Sequence, residues 1–237
     1  MKKLPLFLAA LALTGSANAT VLQFDFTAKI QEMVEFSPLT FSGGPVNSSK
    51  LSGSTVTVGD VIRGHFTYDT TTAQFGNFSG VPMYAAPLAQ NTLSAAIGQQ
   101  SIALDQAQTS TNVQVANNAA SLGGADSFGI ASVSANAVAT QLMALNLFDA
   151  SGTAFSSDAI PASLDFAAFN SSTFYYTYSS VATHAMMGAN GTLTSLTVTP
   201  VVDGGTNITP VPEPETYAML LAGLGLLGWT ARRRQQR

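Results

Sequence analysis

The most regular pattern in the chain is an alternation of apolar and polar residues near its start. The apolar members of this pattern are Leu22, Phe24, Phe26, Ala28 and Ile30, and a polar residue separates each from the next. Successive side chains of a β-strand point to opposite faces. The pattern therefore predicts a strand that turns one face to a core and the other to water.

A second segment, STVTVGDVIRGHFTYD, predicts two strands joined by a turn at Gly59-Asp60. Ile62, Phe66 and Tyr68 are expected to point inward. Gly64 falls on the same inward side of the strand, where a missing side chain often marks a bulge or a close approach between backbones.

Further short strands follow, and turn signals such as Asp149-Ala150-Ser151-Gly152 separate them. They are predicted at 93–97, 101–104, 112–115, 127–133, 140–148, 163–169, 173–178 and 192–199. Many short strands without a comparable helical stretch predict an all-β fold, an antiparallel β-sandwich or jelly-roll-like ectodomain over residues 20–199. Residues 200–210, PVVDGGTNITP, predict a linker because Pro, Gly and Asn interrupt strand pairing.

The N-terminal residues 1–19 have the three parts of a secretory signal peptide. Lys2 and Lys3 form a basic start, residues 4–13 form an apolar stretch, and Ala17-Asn18-Ala19 is a small-residue cleavage site. We expect signal peptidase to cut after Ala19, with Ala17 and Ala19 as the recognised residues. The mature chain would then begin at Thr20.

The C-terminal residues 211–237 also contain three ordered parts. Val211-Pro212-Glu213-Pro214 is a stiff, extended segment because proline fixes its own φ and restricts the residue before it. Residues 217–231 carry no charge and would measure about 22 Å as a helix, against about 30 Å for a hydrocarbon core. They predict a short transmembrane helix. Arg232, Arg233 and Arg234 then predict a stop-transfer signal on the cytoplasmic side.

This order of Pro-Glu-Pro, short apolar helix and arginine cluster resembles the PEP-CTERM sorting signal of exopolysaccharide-producing Gram-negative bacteria. The resemblance implies that an exosortase, a membrane-embedded cysteine transpeptidase, recognises Pro212, Glu213 and Pro214. It also implies an inner-membrane intermediate, followed by release or transfer to the cell surface or extracellular matrix. The segment VTVGDVIRGHFTYD resembles a β-rich region that recurs in such proteins, but this second similarity implies no activity.

Composition limits the partners of the segment between the two ends. From Thr20 to Pro210 there are three basic residues against eleven acidic ones, a formal balance of −8. We therefore expect no nucleic-acid partner, because few cations are available to neutralise phosphates. Cysteine is absent, so the exported domain must be stable through its core and not through disulfides.

The same segment offers little recognisable catalytic chemistry, so we predict no catalytic residues. Without cysteine there is no thiol nucleophile or thiolate metal site, and no Gly-x-Ser-x-Gly sequence occurs. His65 and His184 lack a metal-ligand spacing and are interpreted as a solvent-facing strand residue and a loop residue. Glycoside hydrolysis would need two acids beside one cleft, and the sequence does not show which acids meet in space.

Two groups of residues are candidates for ligand binding. Asp149, Asp158 and Asp165 lie near turns, where hard oxygen ligands suit Ca²⁺. They lack the Asp-x-Asp-x-Asp spacing, so we interpret them as turn residues and predict no cofactor, with calcium as the alternative. Tyr175 alternates with its aromatic neighbours Phe174, Tyr176 and Tyr178. This run could stack on sugars, although alternation assigns most of it to the core.

These observations predict a non-enzymatic exported protein of the cell surface or extracellular matrix, associated with exopolysaccharide. Its expected partners are signal peptidase, an exosortase, the inner membrane during export, and polysaccharide. Two alternatives stay open: a secreted polysaccharide hydrolase, and a carbohydrate-binding adhesion module. Two facing carboxylates in a cleft would favour the hydrolase, whereas a shallow face with exposed Tyr and Asn would favour binding.

Overall fold

The structure, a computed structural model, describes residues 21–85, 91–98, 100–102, 104 and 109–200. The predicted signal peptide, residues 201–210 of the predicted linker and the predicted sorting signal lie outside these residues. Within the described ranges we find no helix with the length and apolar character needed to cross a membrane.

Fourteen strands make up nearly all of the regular structure in the described residues. In chain order they are β1 Val21–Ser37, β2 Ser42–Pro45, β3 Ser48–Ser49, β4 Val56–Thr57, β5 Val61–Asp69, β6 Gln74–Phe78, β7 Val81–Ala85, β8 Thr92–Ile97, β9 Gln100–Ile102, β10 Thr109–Ala119, β11 Ala125–Ala135, β12 Ala139–Asp149, β13 Ser171–Ser180 and β14 Met186–Pro200. Two 3-10 helices, Ala120–Leu122 and Phe166–Ala168, lie between strands. The prediction of an all-β fold is confirmed.

Twelve of these strands belong to one antiparallel sheet. Its order is β6-β7-β10-β11-β12-β13-β14-β1-β5-β8-β9, with β2 paired to β1 beside this path. β3 and β4 form a separate two-stranded ladder. The first and last strands of the described chain therefore lie side by side inside the sheet. We call the end where β1 begins at Val21 and β14 ends at Pro200 the base, and the opposite end, where β14 begins at Met186, the tip.

The sheet closes over its own core, which makes the fold sandwich-like. Four strands separate β5 from β11 along the sheet, yet the ring of Phe128 on β11 lies 5.9 Å from Phe66 and 5.6 Å from Tyr68 on β5. Phe26 of β1 and Phe174 of β13 approach to 5.8 Å. One continuous sheet, and not two separate ones, thus encloses the apolar side chains.

The inward residues predicted from alternation occupy this core. Ile62, Phe66 and Tyr68 have no accessible surface, and the apolar residues of the first strand from Leu22 to Ile30 are also buried. A Cβ built on Gly64 would collide with the carbonyl oxygen of Ser94 and the ring of Phe26. The predicted close approach at Gly64 is confirmed.

β1 is longer than predicted, and its inward face changes partway along. The pairing with β14 shifts between Ile30 and Glu32, which leaves Gln31 as an extra residue. Such a bulge reverses the parity of the side chains beyond it. Met33 is consequently buried, whereas Val34 and Phe36 are about half exposed.

The strand predicted at 163–169 is wrong. This segment is irregular and contains the 3-10 helix Phe166–Ala168. The Asp165 carboxylate accepts a hydrogen bond from the Ala167 backbone N–H at 3.0 Å, which fixes a local turn in competition with strand pairing. The strands β2, β3, β6 and β7 were not predicted, and they are short or rich in Gly and Pro.

Candidate functional site

The predicted sorting and cleavage residues occupy the two ends of the chain. Pro212, Glu213, Pro214 and the arginines 232–234 follow the last strand, while Ala17 and Ala19 precede the first. All of them lie outside the described residues, so their roles stay predictions. The described residues contain four further places where chemistry is concentrated.

The first place is a pair of buried carboxylates at the base. Asp126 on β11 and Asp149 on β12 are directly opposite each other, with 0 % and 1 % of their surface exposed. The Asp126 carboxylate accepts backbone N–H bonds from Asn118 and Phe155, both at 2.7 Å. Its two oxygens therefore join the irregular end of β10 to the loop that follows β12.

The Asp149 carboxylate is bonded more extensively. It accepts from the hydroxyl and backbone N–H of Ser151 at 2.6 and 2.9 Å, and from the backbone N–H groups of Thr153 and Ala154 at 2.8 and 3.1 Å. The Ser151 hydroxyl, followed by the Thr153 and Ser151 N–H groups, holds the pKa of Asp149 well below its ordinary value. Asp149 remains ionised and organises its own turn.

The three aspartates named as calcium candidates each bond to the protein itself. Asp158 accepts from the Asn117 backbone N–H at 2.7 Å, and Asp165 caps the 3-10 helix described above. Across the described ranges, no group of three or more His, Asp or Glu side chains is placed to hold a metal ion. Asp149 and Asp165 form local turns in this way, whereas Asp158 joins its loop to β10.

The second place is a row of polar side chains on the outer face of β1, β5 and β8. Asp25 is opposite His65, and His65 is opposite Ser94, whose hydroxyl lies 3.0 Å from His65 Nε2. The Asp25 carboxylate accepts bonds from Gln23 and Thr199. Sequence reasoning missed the Ser94–His65 contact because it depends on strand register.

The third place is a turn at the tip that contains His184. This residue is exposed, has a φ of +55°, and donates its backbone N–H to the Ser180 carbonyl. His184 is thus a loop residue, as predicted, and His65 is a solvent-facing strand residue, as predicted.

The fourth place is a groove on the outer face near the tip, which we call the Gly188 groove. It is built from three residues on each of three adjacent strands: Tyr175, Thr177 and Ser179 on β13; Asn190, Gly188 and Met186 on β14; Glu32, Val34 and Phe36 on β1. Gly188 is the central residue of this set. A cavity of about 490 Å³ lies over it and extends onto Gly43 and Gly44 of β2.

The aromatic run on β13 divides between this groove and the core. Phe174 and Tyr176 are buried, and the Tyr176 hydroxyl donates to Gln141 at 3.0 Å. Burial raises the pKa of Tyr176 to about 12. Tyr175 faces the other way and is 37 % exposed, which confirms the predicted alternation.

Comparison with known families decides how the C-terminal segment is classified. The model of the PEP-CTERM protein-sorting motif matches residues 210–235, a range that includes Pro212–Pro214 and the arginines 232–234. The chain carries a PEP-CTERM sorting motif. No curated protein and no solved structure matches the chain.

The PEP-CTERM motif establishes the route of the protein in coarse terms. It implies processing by exosortase-type machinery and indicates an exported protein that transits a membrane. The motif covers a small part of the chain, and the strands of the described domain lie entirely outside it. What the domain does at its destination must therefore be argued from its own residues.

Proposed function

We propose that this chain is a non-enzymatic exported protein of the cell surface or extracellular matrix that associates with exopolysaccharide. The observation that carries the proposal is the PEP-CTERM motif at residues 210–235, joined to a β domain whose outer face is largely polar. On β14 that face presents mainly hydroxyl and amide side chains, whereas β1 and β5 add charged ones such as Asp25, Lys29 and Arg63. Such groups bond well to sugar hydroxyls and do not need a metal or cofactor.

The buried aspartates argue against the hydrolase alternative in its two-carboxylate form. Asp126 and Asp149 are adjacent, but a glycosidase needs carboxylates that reach the substrate from both sides of a cleft. Both side chains are buried, and backbone N–H groups already occupy their oxygens. They are better explained as structural acceptors.

A serine hydrolase is the second candidate because of the Ser94–His65 contact. A hydroxyl 3.0 Å from an imidazole nitrogen has the spacing of a nucleophile and its base. A triad also needs a third group that orients the imidazole, and Asp25 instead bonds to Gln23 and Thr199. We therefore favour binding over hydrolysis.

The test uses the exported protein purified from the producing cells and the polysaccharide of those cells. We expect co-sedimentation, no release of reducing ends on long incubation, and the same result with a calcium chelator. The negative balance of the domain predicts weaker binding to anionic polymers at low salt, where the Debye length exceeds about 10 Å. Released reducing ends that disappear when one acidic residue is changed to its amide would establish a glycosidase, and released acyl groups that disappear in Ser94→Ala would establish a serine esterase. Absence of co-sedimentation in every condition would refute the association.

A further inference from the structure

We infer that the Gly188 groove is a binding site for neutral sugar units of a polysaccharide chain. This inference rests on the proposed function and adds the place of contact.

The shape depends on a single glycine between larger neighbours. Val34 and Thr177 lie on either side of Gly188 in the sheet, and a Cβ built on Gly188 would approach Val34 Cγ2 to 3.3 Å. The backbone there is extended, with no positive φ that would require glycine. The missing side chain leaves open space above the sheet between Val34 and Thr177.

The size of the groove suits a short run of pyranose rings. Three neighbouring strands give a width of about 10 Å, and three successive outward residues give a length of about 13 Å. A stable protein interface usually covers roughly 800 Å² on each partner, which is several times the area given by this width and length. The groove is therefore too small for a stable protein partner and suits a narrow polymer. The groove also lies on an open sheet face, so a polymer can continue beyond it in both directions.

The side chains combine apolar surface with hydrogen-bonding groups, as a sugar ring does. Phe36 and Met186 are each about half exposed on one side, and Tyr175 lies two rows away on the other side. In the same row as Tyr175, Asn190 donates to Glu32 at 2.9 Å, which orients an amide and a carboxylate at that side of the groove. The C–H face of a sugar ring can pack on Phe36, Met186 or Tyr175. Its hydroxyl groups can form hydrogen bonds with Asn190 and Glu32.

The charge of the groove residues determines which class of polysaccharide we expect the groove to bind. Among the nine residues that define the groove, Glu32 is the charged one, and Glu35 also lines the cavity; both are negative. A uronic acid or sulfated sugar would meet these carboxylates, and none of the nine residues supplies a cation to offset the repulsion. The expected ligand is accordingly an uncharged glycosyl unit.

The experiment fills the groove and separately removes its aromatic side chain. Gly188→Val occupies the space above the sheet with a β-branched residue of the kind that extended strands favour, and the Val34 side chain must move by a few tenths of an ångström to admit the new Cβ. Tyr175→Ala removes the exposed ring. Matched controls are Gly76→Val and Phe78→Ala on the edge strand β6, where a Cβ on Gly76 meets no atom within 4 Å and Phe78 is 73 % exposed.

Each exported variant is titrated with the polysaccharide of the producing cells, and its melting temperature is recorded. We expect Gly188→Val to lose roughly tenfold or more in affinity and Tyr175→Ala about three- to tenfold, with melting temperatures near the parent and both controls unchanged. Parent-like binding by both groove variants would refute the site and leave the proposed function intact. A parent that does not bind refutes both proposals, and a groove variant that instead changes the oligomeric state would identify a protein interface.

Discussion

Asp149 shows how one buried side chain organises the base of the sheet. Its two oxygens bind the turn that follows β12, and its partner across the ladder, Asp126, binds the irregular end of β10 and a later residue of the same loop. Two adjacent buried carboxylates are tolerated because each is surrounded by N–H and O–H donors. The loop that follows β12 is thus held by these acceptors at its start, and its apolar side chains Phe155, Ile160 and Leu164 pack against the core.

Replacing Asp149 with Asn should destabilise the domain and change its response to acid. The pKa of Asp149 is lowered in the folded state, so its stabilising contribution is fully present above the unfolded-state value near 4 and is lost as pH falls further. We expect Asp149→Asn to melt several degrees lower at neutral pH and to lose less additional stability below pH about 4. Thermal melts from pH 7 to pH 2 measure both effects.

Asp165→Asn is the matched control, since Asp165 is exposed and its carboxylate accepts one backbone N–H. It should resemble the parent over the whole pH range. Parallel pH profiles for Asp149→Asn and the parent would contradict the assignment of Asp149 as an ionised structural acceptor.

Gly64 is important because it has no side chain, which allows neighbouring groups to pack closely against its backbone. Gly64→Ala should lower the free energy of unfolding by about 1–3 kcal/mol or more, because the new methyl group would overlap the Ser94 carbonyl and the Phe26 ring. Gly76→Ala, with free space around it, should be neutral or stabilising by up to about 1 kcal/mol. Equal effects of the two changes in urea unfolding would show that the close approach at Gly64 does not constrain the sheet.

At the scale of the strand, the bulge at Gln31 decides which residues of β1 face the core. Met33 and Val34 are adjacent, yet 2 % of Met33 and 50 % of Val34 is exposed. Met33→Ala should therefore cost about 2–5 kcal/mol of unfolding free energy, whereas Val34→Ala should cost about 0.5 kcal/mol. Uninterrupted alternation from Leu22 predicts the reverse order, so chemical denaturation of the two variants tests the register directly.

The strands that sequence predicted best are those whose alternation is local. Residues 22–30 and the segment around Ile62 show their periodicity without reference to any neighbour, and both were located correctly. Residues 163–169 were misassigned because Leu164 and Phe166 alternate over too short a length to outweigh the Asp165 turn. Short strands such as β2 and β6 carry no periodic signal, and each is defined by its pairing, β2 with the long strand β1 and β6 with β7.

The candidate sites depend on register, which the sequence does not display. The Gly188 groove brings together residues from β13, β14 and β1 that are far apart in the chain, and the Ser94–His65 contact joins β5 to β8. Tyr175 could be assigned to an outer face from alternation alone. Its neighbours across the sheet could not be assigned from alternation, because the bulge in β1 turns Val34 and Phe36 from the inner face to the outer face.

At the scale of the whole molecule, the strands between residues 21 and 200 share one core. Residues from β1, β5, β8 and β10 to β14 contribute to a single apolar cluster. We therefore expect residues 20–210 to fold without the two ends and to give a circular dichroism spectrum dominated by β structure. A helix-dominated spectrum, or the spectrum of an unfolded chain, would contradict this expectation.

The N-terminus of the exported protein should be Thr20 when it is determined by N-terminal sequencing. A retained Met1 would exclude the predicted cleavage after Ala19.

The sorting motif should act on the route of the protein and not on the stability of its domain. Pro212, Glu213 and Pro214 fall within the matched motif and follow β14, which ends at Pro200. Changing all three to Ala should leave the melting temperature of the domain within about a degree of the parent, because it alters no residue of the core. Processing should fail if exosortase-type machinery reads the proline-fixed extended shape and the carboxylate between the two prolines.

The unprocessed triple variant is then expected to accumulate in the inner membrane, held by residues 217–231 and the arginines 232–234. Fractionation with an antibody against the domain, and mass spectrometry of the C-terminus, would measure this accumulation. The matched control changes Thr206, Ile208 and Thr209, which precede the matched range, to Ala and should be processed like the parent. If the triple variant reaches the surface with its tail removed as efficiently as that control, Pro212, Glu213 and Pro214 are not the recognised residues, although the rest of the motif could still direct export.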